Sequence, residues 1–408
     1  MNASLNKFRI DDVVYLLGLY VMLISQYLTV YMNYKFIGAA ICLVYVLLYP
    51  KNNNDRRYLC WVFSFTAFFL MSVLWSLKEK LALYVFVYHL IPYFIFTVAT
   101  MKYLNSYRKL FNILTAVFVC GIVLLVYLSM NIDEFILGAR LGSSLNDEDT
   151  EERFWNVNVI GMCLCFSLYA GWIVFNKIKK GLIIKVLFIS VLVLFIFASL
   201  LTGSRKVLLL LAIPIGYFLY KKTQDNLILG LAGLITVFIA GYFIIMNVEF
   251  LYSTIGSRAE DMMVLLMGEE TGYEDDSRLY LAKYGIEWWK ENPIWGVGIN
   301  CYKVLSNETS MFRGKMFYAH NNYIELLVDV GVVGTFLYYR GYYYLLRESL
   351  KEKSEAMSWV FIMIVVVLFL DTGNVSYYDM RVQFLLVVLF GVLRLENNRI
   401  LLEEDEDS

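Results

Sequence analysis

The sequence predicts an all-α integral membrane protein of about 12 transmembrane helices, with one long extracytoplasmic loop between the ninth and the tenth. Three observations predict it. Hydrophobic residues make up 60% of the 408-residue chain and charged residues 17%, with a mean hydropathy of +0.60. An ordinary soluble domain carries about a quarter charged residues. The apolar residues fall in blocks of roughly 15 to 25, long enough to cross ~30 Å of hydrocarbon as helix, and the blocks lack the alternation of barrel strands. Positive charge gathers in every second connecting segment, as a cytoplasmic bias requires.

In order, the spans run near 13–31, 36–50, 59–76, 81–100, 110–129, 157–175, 183–201, 206–220, 227–247, 322–346, 358–370 and 381–394. Lys7 and Arg9 precede the first, and Lys51, Arg56 and Arg57 follow the second. Lys102, Arg108 and Lys109 follow the fourth, and Lys177, Lys179 and Lys180 the sixth. Lys221 and Lys222 follow the eighth, and Arg347, Lys351 and Lys353 the tenth. The opposite loops are short or acidic; residues 130–156 hold Asp133, Glu134, Asp147, Glu148, Asp149, Glu151 and Glu152 against Arg140 and Arg153. This alternation places both termini in the cytoplasm and favours an even count. The expected organisation is a nine-span bundle over 1–247, an extracytoplasmic loop with amphipathic helices over 248–321, a three-span bundle over 322–394, and an acidic tail over 395–408 read as solvated and disordered. The first apolar block lacks a small-residue cleavage site and reads as a retained helix rather than a signal peptide.

A net charge of −1 implies no nucleic-acid partner. Five of the six cysteines sit in or beside apolar blocks and Cys301 stands alone in a loop, so neither a disulfide framework nor a metal pattern emerges. Loops as long as 130–156 and 248–321, inside an otherwise tightly connected bundle, are usually functional.

There are two histidines. His89 lies inside a span, where the plain reading is a structural residue that hydrogen-bonds another helix. His320 ends the long loop at the point of membrane re-entry. A histidine there, with an ordinary pKa of ~6.5, can accept a proton near neutral pH; the plain alternative is an interfacial residue without a role. Asn321 follows, and Gly331 and Gly334 share a helix face that would allow close helix contact. Glu325 and Asp329 are one turn apart on one face, and Arg340 lies deeper. Charges at such depth are paired or face a wet cavity, so this span lines a cavity, with the carboxylates pairing arginines as the plain reading.

Positive residues on the outer side run against the topological bias and call for a reason. Arg205 sits in a short Gly203-Ser204-Arg205-Lys206 turn, and Arg278 in the long loop. A guanidinium offers a fixed fork of donors to phosphate oxygens, and backbone amides of a Gly-Ser turn at a helix start add an anion site. Against this, Arg205 can be an interface anchor, Arg278 a surface partner of Glu274, Asp275 or Asp276, and Lys206 a snorkelling residue. Residues 279–299 read as an amphipathic helix ended by Pro293, then a turn at Gly296 and Gly298. Its Trp288, Trp289 and Trp295 suit a membrane interface and can also stack on sugar rings. Asn156 and Asn158 enter the sixth span, where they can cap a helix or bind a polar ligand.

These residues carry a resemblance. His320-Asn321, nine residues, then Gly331-x-x-Gly334 resembles the signature of the bacterial O-antigen ligases and related O-antigen and capsule polymerases, the Wzy/ligase superfamily. The Gly203-Ser204-Arg205 turn resembles that family's arginine turn, the run from Ser277-Arg278 to Gly298 the opening of its conserved region, and Asn158 an asparagine that starts an earlier span. The likeness is strongest over 200–345. It implies a metal-independent glycosyltransferase of the bacterial cytoplasmic membrane, without cofactor, whose active site faces outward. The donor it implies is an undecaprenyl-diphosphate-linked glycan, and the acceptor another lipid-linked repeat or lipid A-core. A chain-length regulator is a further candidate partner. His320 would be the base and Arg205 and Arg278 would stabilise the leaving diphosphate, giving an inverting transfer. Asn321, Ser204, Lys206, Asn158, Asp329 and Glu325 would line the substrate site. The polymerase is the preferred reading and the ligase the alternative. A lipid-linked glycan flippase is a third, disfavoured by the asymmetry of nine spans before the long loop and three after it.

Overall fold

The computed structural model of the chain describes residues 9–28, 33–49, 56–133, 135, 157–177, 181–204, 206–208, 210–212, 273–312, 314–351 and 354–407, with scattered positions between 232 and 252. The expected spans 206–220 and 227–247, and most of 130–156 and 248–272, fall largely outside the described residues.

Every regular element among the described residues is helical. Six helical stretches are long and apolar enough to cross a membrane: Ile10–Tyr27, Arg56–Trp75, Glu79–Tyr103, Tyr107–Met130, Val157–Lys177 and Leu182–Leu201. Lys35–Leu48 and Glu355–Leu370 are apolar but shorter. The protein is therefore a helical membrane protein, and a count of twelve rests on the charge alternation of its loops.

The chain divides into two compact units. The first comprises Met1–Met22, Asn33–Leu110 and Ser277–Ser408, so the earliest helices group with the last ones and not with the residues that follow them. It holds most of α1 (Ile10–Tyr27), then α2 (Lys35–Leu48), α3 (Arg56–Met71), α4 (Glu79–Val85) and α5 (Ile91–Tyr103). The second comprises Leu23–Met32 and Phe111–Asp276 and holds most of α6 (Tyr107–Met130), then α7 (Val157–Lys177) and α8 (Leu182–Leu201). Beyond it the first unit resumes with α9 (Tyr273–Glu291), α10 (Tyr302–Glu308), α11 (Asn322–Ser349), α12 (Glu355–Leu370) and α13 (Met380–Asp407). The acidic end differs from its expected disorder: residues 395–407 continue α13 as helix.

Local chemistry sets several of these boundaries. Between α4 and α5 a π-helical turn, Phe86–Leu90, carries His89. Pro92 follows in the first turn of α5; it has no N–H for the helical ladder, and a widened turn absorbs the loss. Ser354 caps α12 by accepting from the Met357 N–H at 3.1 Å. An aromatic seam joins α3 to α11. The Trp61 ring lies against Gly341, where a Cβ would collide with it, and its Nε1 donates to the Tyr338 carbonyl at 2.8 Å.

Several charged side chains of the first unit are tied down near the chain ends of its helices. Arg108 pairs with buried Asp12 at 3.0 Å and Lys109 with Asp11 at 3.5 Å. Arg57 donates to the Tyr344 hydroxyl at 2.6 Å, and Arg399 pairs with Glu396 at 3.0 Å. All four arginine and lysine partners belong to segments that the sequence assigns to the cytoplasmic side. In the second unit α6 and α7 approach closely. Ser167 donates to the Val117 carbonyl at 3.2 Å and lies against Gly121, and Phe118 lies against Gly171.

Candidate functional site

The feature that organises the first unit's candidate site is a break in α11. Gly331 has φ 64° and ψ −170° inside the helix. That backbone region is essentially closed to residues with a Cβ, and a Cβ there would also strike the Ile294 carbonyl. The break frees two carbonyls and two amides. Residues 293–298 meet all four: Val297 and Gly298 N–H donate to the Val328 and Asp329 carbonyls at 2.9 and 2.8 Å. Val332 and Val333 N–H donate to the Pro293 and Ile294 carbonyls at 2.9 and 3.3 Å. Gly296, at φ 67°, lets the segment press on the Asp329 backbone. Irregular backbone is tolerated at membrane depth only where protein covers it in this way. Gly331 and Gly334 were expected to serve one helix contact. The structure separates them: Gly334 does face α3, at Phe68, whereas Gly331 breaks the helix to admit a loop.

Glu325 and Asp329 follow the same logic. Both are fully buried. Among the described residues neither is paired with an arginine; both carboxylates take backbone amides instead. Asp329 accepts from Asn300 N and Tyr302 N, each at 2.7 Å. Glu325 Oε2 accepts from Ala319 N at 2.7 Å. Two peptide donors satisfy Asp329 without a counter-ion, whereas the buried Glu325 Oε1 has no hydrogen-bond partner among the described residues. One face of α11 thus fixes two stretches of the preceding segment, at 300–302 and at 319.

His320 follows directly from the second stretch. Its backbone is left-handed, at φ 50°, which is uncommon for a residue with a Cβ. Asn321 then returns to extended backbone and caps α11, its Oδ1 accepting from Tyr323 N and Ile324 N at 3.0 and 3.1 Å. Held between the Glu325 latch and this cap, the imidazole packs on the Tyr318 ring at 3.9 Å between centroids. Burial pushes the Tyr318 phenol up to about 12, with the Arg278 charge pulling it back and Glu325 adding to the rise. Arg278, exposed on α9, lies within electrostatic reach of Tyr318, so the structure groups two predicted residues around that ring. The side chains of Glu274, Asp275 and Asp276, the alternative partners of Arg278, lie outside the described residues.

Several residues that the sequence did not single out complete the neighbourhood. Asn322 is a buried hub: its N–H donates to the Asp371 carbonyl at 2.8 Å, and its Oδ1 accepts from Ser376 N and Tyr377 N at 2.9 and 3.2 Å. Asp371 Oδ2 takes the Tyr339 hydroxyl at 2.8 Å. Burial pushes the Asp371 carboxyl up to about 7. Trp288, expected at an interface, packs edge-on against Tyr302 at 5.2 Å within a buried cluster, and Trp295 alone of the three keeps 55% exposure. His89 hydrogen-bonds Tyr93, four residues along its own continuous helix, at 3.2 Å, in place of the expected partner on another helix.

The second unit brings together two other predicted residues. Ser204 Oγ donates to Asn158 Oδ1 at 2.6 Å, tying the Gly203-Ser204 turn to the start of α7. Ser204 is buried, and Gly203 has φ 62°. Gly161 on α7 receives Val207 and Thr202 side chains from either side of this turn. Lys206 is half-buried at the helix start beyond it. Arg205 and Asn156 lie outside the described residues.

A family model described as O-Antigen ligase matches residues 190–339. The match runs from α8 through the 203–205 turn to α11, and includes Arg278, His320 and both glycines of the signature. It bears out the resemblance to the O-antigen ligase and Wzy superfamily over that stretch. No curated protein matches the chain.

Proposed function

We propose that this chain is a membrane glycosyltransferase of the O-antigen ligase and polymerase type. It polymerises undecaprenyl-diphosphate-linked repeat units into O-antigen or capsular polysaccharide on the outer side of the bacterial inner membrane. The observation that carries the reading is the restrained His320. Its left-handed backbone lies between the Glu325 latch and the Asn321 cap, beside Tyr318 and Arg278, inside the stretch that matches the family.

In the proposed reaction His320 takes the proton of the attacking sugar hydroxyl. The new glycosidic C–O bond forms on the face opposite the diphosphate as the bond to that diphosphate breaks, so the anomeric centre inverts. A positioned base of this kind contributes roughly 10²–10⁴-fold. Arg278 offers a preorganised positive charge to the leaving diphosphate. The same role for Arg205 rests on the Gly203-Ser204-Arg205 sequence. Both termini would be cytoplasmic.

The family description fits a second reading equally, transfer of a finished lipid-linked glycan to lipid A-core. It lends the flippase no support. Complementation of a deletion strain separates these. Loss of a polymerase leaves single repeats attached to core, whereas loss of a ligase leaves none. The catalytic reading fails if His320→Ala restores full-length polymer. Purified protein that elongates lipid-linked repeats without any ion gradient would dispose of transport.

A further inference from the structure

The His320 neighbourhood holds a cation that neither the sequence signature nor the proposed chemistry has used. Lys303 lies on α10, one residue beyond the Tyr302 amide that Asp329 grips. It is half-buried, and it forms no ion pair among the described residues. Two carboxylates, Glu325 and Asp329, lie within its electrostatic reach. Neither forms an ion pair with it among the described residues: Glu325 Oε2 takes Ala319 N, both Asp329 oxygens take backbone amides, and the buried Glu325 Oε1 has no hydrogen-bond partner there. The ammonium sits instead at 6.0 Å from the centre of the Tyr378 ring. Tyr378 is half-buried and within electrostatic reach of Tyr318, whose ring carries His320. A lysine held this way keeps its donors available while the nearby acidic groups and the ring hold its charge in place.

We propose that Lys303 is an anion-binding residue of the His320 site. It takes an anionic oxygen of the glycan substrate, with the Tyr378 ring beside it as a face for a sugar. The assignment rests on the glycosyltransferase reading. Two groups on such a substrate share this chemistry, the diphosphate of the lipid and the carboxylate of an acidic sugar.

The test uses the full-length chain, purified in lipid nanodiscs, with lipid-linked repeat units as substrate. Lys303→Met is expected to raise KM roughly tenfold or more, the loss of a charge-assisted hydrogen bond, with kcat nearly unchanged. Lys303→Arg is expected to recover most of that loss. Undecaprenyl diphosphate without sugar and a soluble uronic-acid oligosaccharide then serve as competing inhibitors. Weaker inhibition of Lys303→Met by the first alone assigns the anion to the diphosphate; weaker inhibition by the second alone assigns it to an acidic sugar. The proposal is overturned if KM and both inhibition constants match the wild type. It is also overturned if Lys303→Met melts early and Glu325→Gln repairs both melting and KM, since Lys303 would then only offset buried carboxylates. Full activity of His320→Ala would instead bring down the glycosyltransferase reading, whatever Lys303 does.

Discussion

The two histidines of the first unit show how differently one residue type can be held. His89 sits in regular helical backbone on a π turn, bonded to Tyr93 on the same helix and surrounded by the Tyr84, Tyr93 and Tyr378 rings at 5.6–6.2 Å. Nothing strains it. His320 sits in left-handed backbone, and four elements of structure hold it there: the Glu325 latch, the Asn321 cap, the Tyr318 ring and the Asn322 hub next in sequence. A fold that over-determines a costly backbone conformation is maintaining a side-chain direction. The π turn that carries His89 has helical backbone and requires no such support.

That contrast can be broken by experiment. The largest effect is expected at His320→Ala, with turnover down roughly 10²–10⁴-fold at unchanged melting temperature; a change below threefold would erase the distinction between the histidines. Next comes the support. Asp329→Ala strands the buried amides of Asn300 and Tyr302, at about 1–3 kcal/mol each, and lowers the midpoint of thermal unfolding in detergent. Asp329→Asn, which keeps one acceptor oxygen, should fall between. Gly331→Ala is expected to cost about 1–3 kcal/mol from backbone strain alone, and a collision with the Ile294 carbonyl adds to it. Gly334→Ala meets only side chains and should cost less. A smaller effect is expected in pH. Burial raises Asp371 to about 7, so the folded state binds its proton more tightly than the unfolded chain, whose aspartate titrates near ~3.9. The stability this confers is complete below that lower value and is lost as pH climbs to about 7. Asp371→Asn should flatten the melting temperature across that window, and an unaltered slope would remove Asp371 as its source. The smallest effect belongs to His89→Phe, which keeps a ring among rings and should leave activity within about twofold.

The sequence reveals part of this and conceals the rest for physical reasons. Apolar blocks and basic loops give the helical membrane class, because lipid leaves few alternatives. His320, Asn321 and Arg278 stand out through spacing and through charge on the unexpected side. Gly331 and Gly334, three apart, look like one helix face because periodicity assumes an unbroken helix. Only the pairing of 293–298 with 328–333 shows otherwise, and no local pattern encodes it. Glu325 and Asp329 look like partners for arginines because a sequence displays side chains and hides peptide amides. Asn322 and Asp371 pass unnoticed for a similar reason, as a buried asparagine that bonds three backbone groups looks the same as a surface one. The grouping of the first helices with the last ones is a matter of contacts across some 170 intervening residues, Phe111–Asp276, and leaves no mark on composition.

The broken α11 has a consequence for how the chain is made. A helix handed to the bilayer with a gap at Gly331 has two peptide donors and two acceptors facing hydrocarbon, at several kcal/mol each. Residues 293–298 are synthesised first and carry the four complementary groups. Those few residues act as a splint made before the fracture it sets. The break in α11 and the 293–298 segment are therefore one unit: neither satisfies its peptide groups in hydrocarbon without the other.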